Sequence, residues 1–245
     1  MNKKITIGVI ALIIVAAVAY ITTRQTSAPS TTSTEPALSA TNMEQESMSS
    51  MDHTTMSKTP LTGSGTYVFD VNESSFTWEG KKPLISNYVD TGTVKIKQGQ
   101  AEVRDGKLVG GSAVVDLTTI SATQTGKGSG NEMLQKHIMS SDFFDTTKFP
   151  EATFAITSAT QDPSDPTKYT VQGDLKIKDV SEKVTFDATL TQEADGDALF
   201  HARTSLDRTK WGLKYGSGSF FKDLGDKVID DLFSVEFKVH ATLQK

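Results

Sequence analysis

The sequence contains no cysteine. This excludes disulfides, thiolate metal sites, a cysteine nucleophile and a lipid-modified N-terminal cysteine. Histidine is also scarce, with four residues in 245. His137, His201 and His240 have no triad or metal-ligand partner at a usable spacing, and His53 lies apart from them in a Ser/Thr-rich stretch. Basic residues are not in excess: 25 Lys and Arg stand against 30 Asp and Glu, a net charge of −5. That balance argues against a nucleic acid partner. The acidic stretch "KDLGDKVIDDLF" carries Asp223, Asp226, Asp230 and Asp231 without the regular spacing of a calcium loop. These absences point away from an enzyme and from a resident metal or organic cofactor. Apolar residues make up only 36% of the chain, so part of it is expected not to fold.

Long hydrophobic runs are missing too, except for one. Lys3 and Lys4 precede "ITIGVIALIIVAAVAYI", an uncharged run from Ile5 to Ile21. Seventeen residues is near the short limit for a bilayer-spanning helix. The flanking lysines would stay cytoplasmic, so residues 1–24 are expected to anchor an exported chain. A cleaved signal peptide is the rival, with Ala17 and Ala19 as the small residues before a cut. Either way the remainder is expected outside the cytoplasm. It would sit on the outer side of the cytoplasmic membrane, or be secreted or periplasmic after cleavage.

Residues 25–65 lack aromatic residues altogether and hold 18 Ser or Thr in 41 positions. Such a segment cannot bury enough apolar surface to offset its ordering entropy. A disordered linker is expected, with a root-mean-square span of about 35 Å. Within it Met48, Met51, His53 and Met56 cluster. Thioether and imidazole suit Cu(I), so a Cu(I)-buffering tether is an alternative function.

From residue 66 the texture is that of strands. In "FSVEFKVHATLQ", Phe233, Val235, Phe237, Val239, Ala241 and Leu243 alternate with polar residues. Period two means one dry and one wet face. "KYTVQGDLKIK" places Val171 and Leu175 on its dry face, and "VTFDATLTQ" does the same for Phe186. "SFTWEG", which contains Trp78, and "EATFAITSAT", which contains Phe154 and Ile156, are further strands. At least eight strands are expected, interrupted by turns such as "RDGK" and "EADGD". One helix is expected in "GSGNEMLQKHIMSS", with Asn131 as N-cap, and a shorter one after Leu206. The fold class is all-β, an antiparallel up-and-down barrel of eight strands, since closure removes exposed edges.

Three stretches carry a resemblance to a known family. They are "SSDFFD" followed by "KFPEATF", then "VQGDLKIKDVSEKVTF", then "LDRTKWGLKYG". In order and spacing over residues 66–245 the chain resembles the YceI-like family of exported, lipocalin-like proteins. Asp179 stands where the family pattern has Gly. The resemblance implies an extended barrel whose interior holds an isoprenoid lipid, a polyprenyl diphosphate or a quinone. Burying ten methylene equivalents would contribute about 8 kcal/mol, roughly micromolar affinity before ordering costs.

On that reading Trp78, Phe154, Ile156, Val171, Leu175, Phe186 and Phe237 face the ligand from the strands. Phe143, Phe144 and Phe149 precede a strand, so they fold over a barrel end. They form either an aromatic rim around a tunnel mouth or a plug. Arg208 either meets the ligand's headgroup or anchors a turn, and Trp211 and Tyr215 could line the neck of the tunnel.

Overall fold

The computed structural model describes residues 59–194 and 196–244. The expected N-terminal helix, most of the linker and the cluster of Met48, Met51, His53 and Met56 lie outside these residues. No helix among the described residues is long and apolar enough to cross a membrane.

The alternating segments form β1 (Gly65–Phe69), β2 (Ser75–Lys81), β3 (Val89–Arg104), β4 (Lys107–Gln124), β5 (Glu151–Gln161), β6 (Lys168–Ile177), β7 (Val180–Gln192), β8 (Ala198–Asp207) and β9 (Leu232–Leu243). Every ladder is antiparallel, and each strand from β3 to β9 pairs with the next. Both β1 and β2 pair with β3 on one side and with β9 on the other. They therefore occupy one position in the ring, and nine strand segments make a closed barrel of eight staves. The break within this stave is local. The Asp70 carboxylate accepts hydrogen bonds from the backbone N–H groups of Asn72 and Glu73, which turns the chain between β1 and β2.

The up-and-down order gives the barrel two unlike ends. The hairpin end carries the tight connections 105–106, 162–167 and 193–197. The loop end carries the connections 82–88, 125–150, 178–179 and 208–231.

Residues 59–64 cross the hairpin end instead of belonging to a disordered linker that ends at residue 65. Gln192 N–H donates to the Thr59 carbonyl at 2.9 Å, and Gly106 N–H donates to the Gly63 carbonyl at 2.6 Å. Leu61 is buried against Tyr67, Tyr169 and Leu190. A single Leu between polar residues carries no periodicity, so its burial was not legible.

Helix α1 (Asn131–Met139) lies on the loop end and buries no residue fully. Its N-cap is Gly130 in the left-handed region, φ 91°. Asn131, expected to cap, donates instead from its side chain to the Thr123 carbonyl at 2.9 Å. The short helix after Leu206 is a 3-10 turn over Arg208–Trp211.

The barrel interior holds two packed clusters. One, toward the hairpin end, gathers Leu61, Tyr67, Tyr169, Leu190 and Phe200. The other, toward the loop end, gathers Leu117, Ile120, Ile177, Val184, Trp211 and Leu213. Phe76, Phe154 and Phe186 touch both clusters.

Candidate functional site

Between the two clusters the barrel is not filled. A cavity of about 200 Å³ crosses its middle. An apolar cavity of about 150 Å³ already stays dry and accepts a small hydrocarbon. All nine strands contribute to this wall, and no lining residue is charged.

The cavity exists because of how aromatic rings lie on the wall. Trp78 on β2 stands directly opposite Gly92 on β3. A Cβ at Gly92 would collide with the Trp78 indole, so the ring lies against bare backbone. The Phe69 ring covers Gly99 in the same way, and the Phe154 ring covers Gly173. Glycine removes the side chain that would push each ring inward, and the rings sheathe the wall instead of meeting in the centre. Phe237 joins this sheath from β9, stacked on Phe76 with centroids 6.1 Å apart and edge-on to Phe186 at 5.7 Å.

Toward the loop end the wall rises through Trp78, Leu206 and Phe233, which stay half-buried. Trp78 carries one unused polar group. Its Nε1–H is buried and has no acceptor among the described residues. A buried donor without a partner costs about 1–3 kcal/mol.

Of the residues expected from the sequence to face a ligand, Trp78, Phe154, Ile156, Val171, Leu175, Phe186 and Phe237 line the cavity. Six others do not. Trp211 is buried in the loop-end cluster and donates its Nε1–H to the Leu175 carbonyl at 2.9 Å. It fills the place where β7 and β8 part, since their ladder runs only from Ala188↔Ala202 to Gln192↔Ala198.

Tyr215 and Phe143 lie above the barrel with His137 between them. The His137 ring stands edge-on to both, 4.6 Å from Tyr215 and 5.1 Å from Phe143 by centroid. Phe144 packs into the loop-end cluster as a plug. Phe149 lies outside the wall, beneath the ammonium groups of Lys148 and Lys178. The Phe-rich segment is thus mostly closure, and of its four Phe only Phe154 lines the cavity.

Of its two expected roles, Arg208 takes that of turn anchor. Its side chain is buried and turned away from the cavity. Nε donates to the Asp230 carbonyl at 2.8 Å, and Nη1 donates to the carbonyls of Leu213 and Tyr215. Nη2 donates to the Ile229 carbonyl at 3.0 Å and meets the Asp231 carboxylate at 3.4 Å. Every donor direction is used inside the loop, so no headgroup can be served. Burial lowers the Arg208 pKa and Asp231 opposes that shift; the guanidinium remains charged. At Asp231 burial raises the pKa, but the hydroxyls of Ser217 and Ser219 and the Arg208 charge outweigh it and hold the carboxyl below its ordinary value.

Phe69, Phe76, Phe200 and the four alanines Ala101, Ala113, Ala152 and Ala188 also line the cavity and were missed as ligand-facing residues. The available signal was glycine at inward strand positions, Gly92 and Gly99, which mark beds for rings. Among the described residues no group of three or more His, Asp or Glu is placed to hold a metal.

A profile of the YceI-like domain matches residues 67–241. The chain is 32% identical to protein YceI of Shigella flexneri over 123 residues, 49% of this chain and 62% of that relative. It is 34% identical to a UPF0312 protein of Pseudomonas putida over 128 residues, 50% of this chain and 63% of the relative. The chain thus spans less than two thirds of the length of these curated relatives. Two solved structures share the fold. BcnA of Burkholderia cenocepacia matches with a TM-score of 0.56 at 22% identity, over 71% of this chain and 99% of that one. A polyisoprenoid binding domain from Saccharophagus degradans matches with a TM-score of 0.52 at 13% identity, over 73% and 98% of the two chains.

Proposed function

Because the chain belongs to the YceI-like family, we propose that it is an extracytoplasmic binding protein whose barrel holds an isoprenoid chain for storage or transport. The observation that carries this reading is the uncharged cavity of about 200 Å³ between two packed clusters. Hydrocarbon gains about 0.8 kcal/mol per buried methylene in such a space. The likeness to a polyisoprenoid binding domain from Saccharophagus degradans supports the same ligand class. The run from Ile5 to Ile21 behind Lys3 and Lys4 supports export and attachment to the membrane through the N-terminus.

The ligand's buried end is neutral. No cation lines the cavity, and Arg208 spends its donors on the protein's own carbonyls. Trp78 offers one N–H. A quinone, with carbonyl oxygens on an isoprenoid tail, fits this wall better than a buried diphosphate, which would need paired cations.

Organic extracts of the purified protein, analysed by mass spectrometry, test the reading. A co-purifying isoprenoid is the expected result. Extracts free of isoprenoid, together with no binding of added quinone, would remove it. Trp78→Phe refines the test. It keeps an aromatic ring over Gly92 and deletes the donor, so affinity for an isoprenoid quinone is expected to fall about tenfold. Affinity for the corresponding hydrocarbon should be unchanged, and an equal loss for both would assign Trp78 to packing alone.

A further inference from the structure

The two ends of the barrel differ in both polarity and charge. Eight large apolar side chains are exposed among the described residues, and six of them sit at the loop end. Leu84 comes from the β2–β3 connection, Met133 from α1, and Tyr215, Phe220 and Phe221 from the β8–β9 connection, with Leu232 where β9 begins. Phe220 and Phe221 are adjacent and each is 50% exposed. They follow "GSGS", a stretch with no bulk to cover them.

Lysines share the loop-end connections with these side chains. Lys82, Lys127, Lys148, Lys178, Lys210, Lys214, Lys222 and Lys227 lie in the loop-end connections and form no salt bridge among the described residues. The Lys214 ammonium stands 4.3 Å from the centroid of the Phe220 ring. The connections 82–88, 125–150, 178–179 and 208–231 together hold ten Lys or Arg and eight Asp or Glu, a balance of +2. The whole chain is at −5. The connections at the hairpin end run the other way. They carry Asp105, Asp162, Asp165, Glu193 and Asp197 and no Lys or Arg.

We propose that the loop end is a docking face for an anionic lipid bilayer. Half-exposed aromatic and aliphatic side chains on separate loops match the interfacial zone, where rings sit at headgroup level. Lysines beside them meet lipid phosphates, each contributing modestly near the surface. The charge asymmetry turns the acidic hairpin end away from the same membrane. The cavity wall rises toward this face through Trp78, Leu206 and Phe233. A lipid leaving the bilayer there would cross little water. The face stands on exposed residues and charge, so it does not depend on what the cavity holds.

Residues 59–244 close their own sheet, and the matching span makes up 98–99% of two solved chains, so a protein of residues 59–245 is suitable for the test. Its sedimentation is measured with vesicles of phosphatidylcholine containing phosphatidylglycerol, and with vesicles of phosphatidylcholine alone. Binding to the anionic vesicles is expected, weakened by salt. Phe220→Ser with Phe221→Ser, and separately Lys214→Glu with Lys222→Glu, should each weaken it by about tenfold or more. Asp162→Asn at the hairpin end should leave it unchanged. These side chains are exposed, so thermal unfolding of all variants should match wild type.

No sedimentation with either vesicle, or binding that both double variants leave intact, would overturn the proposal. A solution dimer dissolved by Phe220→Ser with Phe221→Ser would give the face to a second copy instead. Lipid in the cavity is scored separately in organic extracts, so the two readings fail independently.

Discussion

Replacing Arg208 by alanine should destabilise the barrel by about 3–5 kcal/mol, the usual cost of removing one side of a buried, hydrogen-bonded ionic group. Four backbone carbonyls, from Leu213, Tyr215, Ile229 and Asp230, lose their donor at once. These carbonyls lie at both ends of the long β8–β9 connection, so Arg208 staples a loop that no strand ladder holds. Arg208→Lys should recover little, because an ammonium cannot reproduce the planar fork.

The same variant should alter the acid limb of stability. The Asp231 carboxyl is held below its ordinary value by Ser217, Ser219 and Arg208 acting against burial. Its contribution is fully present above the unfolded-state pKa and is lost as pH falls through the lower folded value. Without Arg208 the folded-state pKa of Asp231 should rise toward the unfolded value, so this contribution shrinks and its pH window narrows from the acid side. Urea unfolding between neutral and acid pH measures both effects. At temperatures where the variant stays folded, quinone affinity should be close to wild type, since Arg208 is absent from the cavity wall. A stability change below about 1 kcal/mol, with weakened binding, would return Arg208 to a headgroup role.

The largest effect on binding is expected from filling the cavity. Ala113 lies on β4 and lines the cavity, with Gly99 and Phe154 as its cross-strand partners. Ala113→Phe adds a ring where the wall is bare. In a packed core such overpacking costs about 1–3 kcal/mol. Here the ring enters open volume, so the empty protein should lose little stability or gain some. Excluding one five-carbon unit of the ligand forfeits about 4 kcal/mol at about 0.8 kcal/mol per methylene. That is roughly a thousandfold in affinity. Isoprenoid binding by titration and thermal stability of the ligand-free protein give the two readouts. A strongly destabilised variant that still binds would mean that the volume beside Ala113 is not the ligand's.

The sequence by itself determined the barrel. Strict alternation in β9, with Val235, Phe237 and Val239 inward, leaves one choice of dry face, because a shift by one residue would bury Glu236 and Lys238. The same period placed Val171, Leu175, Phe186 and Phe154 on the interior wall, where they line the cavity. The three motif stretches resemble the family whose profile matches residues 67–241. What alternation cannot express is depth. It says that a ring points inward, not whether it fills the centre or lies flat on a glycine of the next strand, as Trp78 does on Gly92. The existence of the cavity was therefore a tertiary matter.

So were the roles of Arg208, Trp211, Phe143 and Tyr215. They sit in connections, where no period fixes side-chain direction, and each is aimed by partners far away in the chain. Trp211 is held by the Leu175 carbonyl, 36 positions earlier, and Arg208 by carbonyls up to 22 positions later. Local sequence sets a strand's faces because pleating repeats every two residues. A loop side chain points wherever the closed barrel offers an acceptor or a gap, and that is decided only when all eight staves have met.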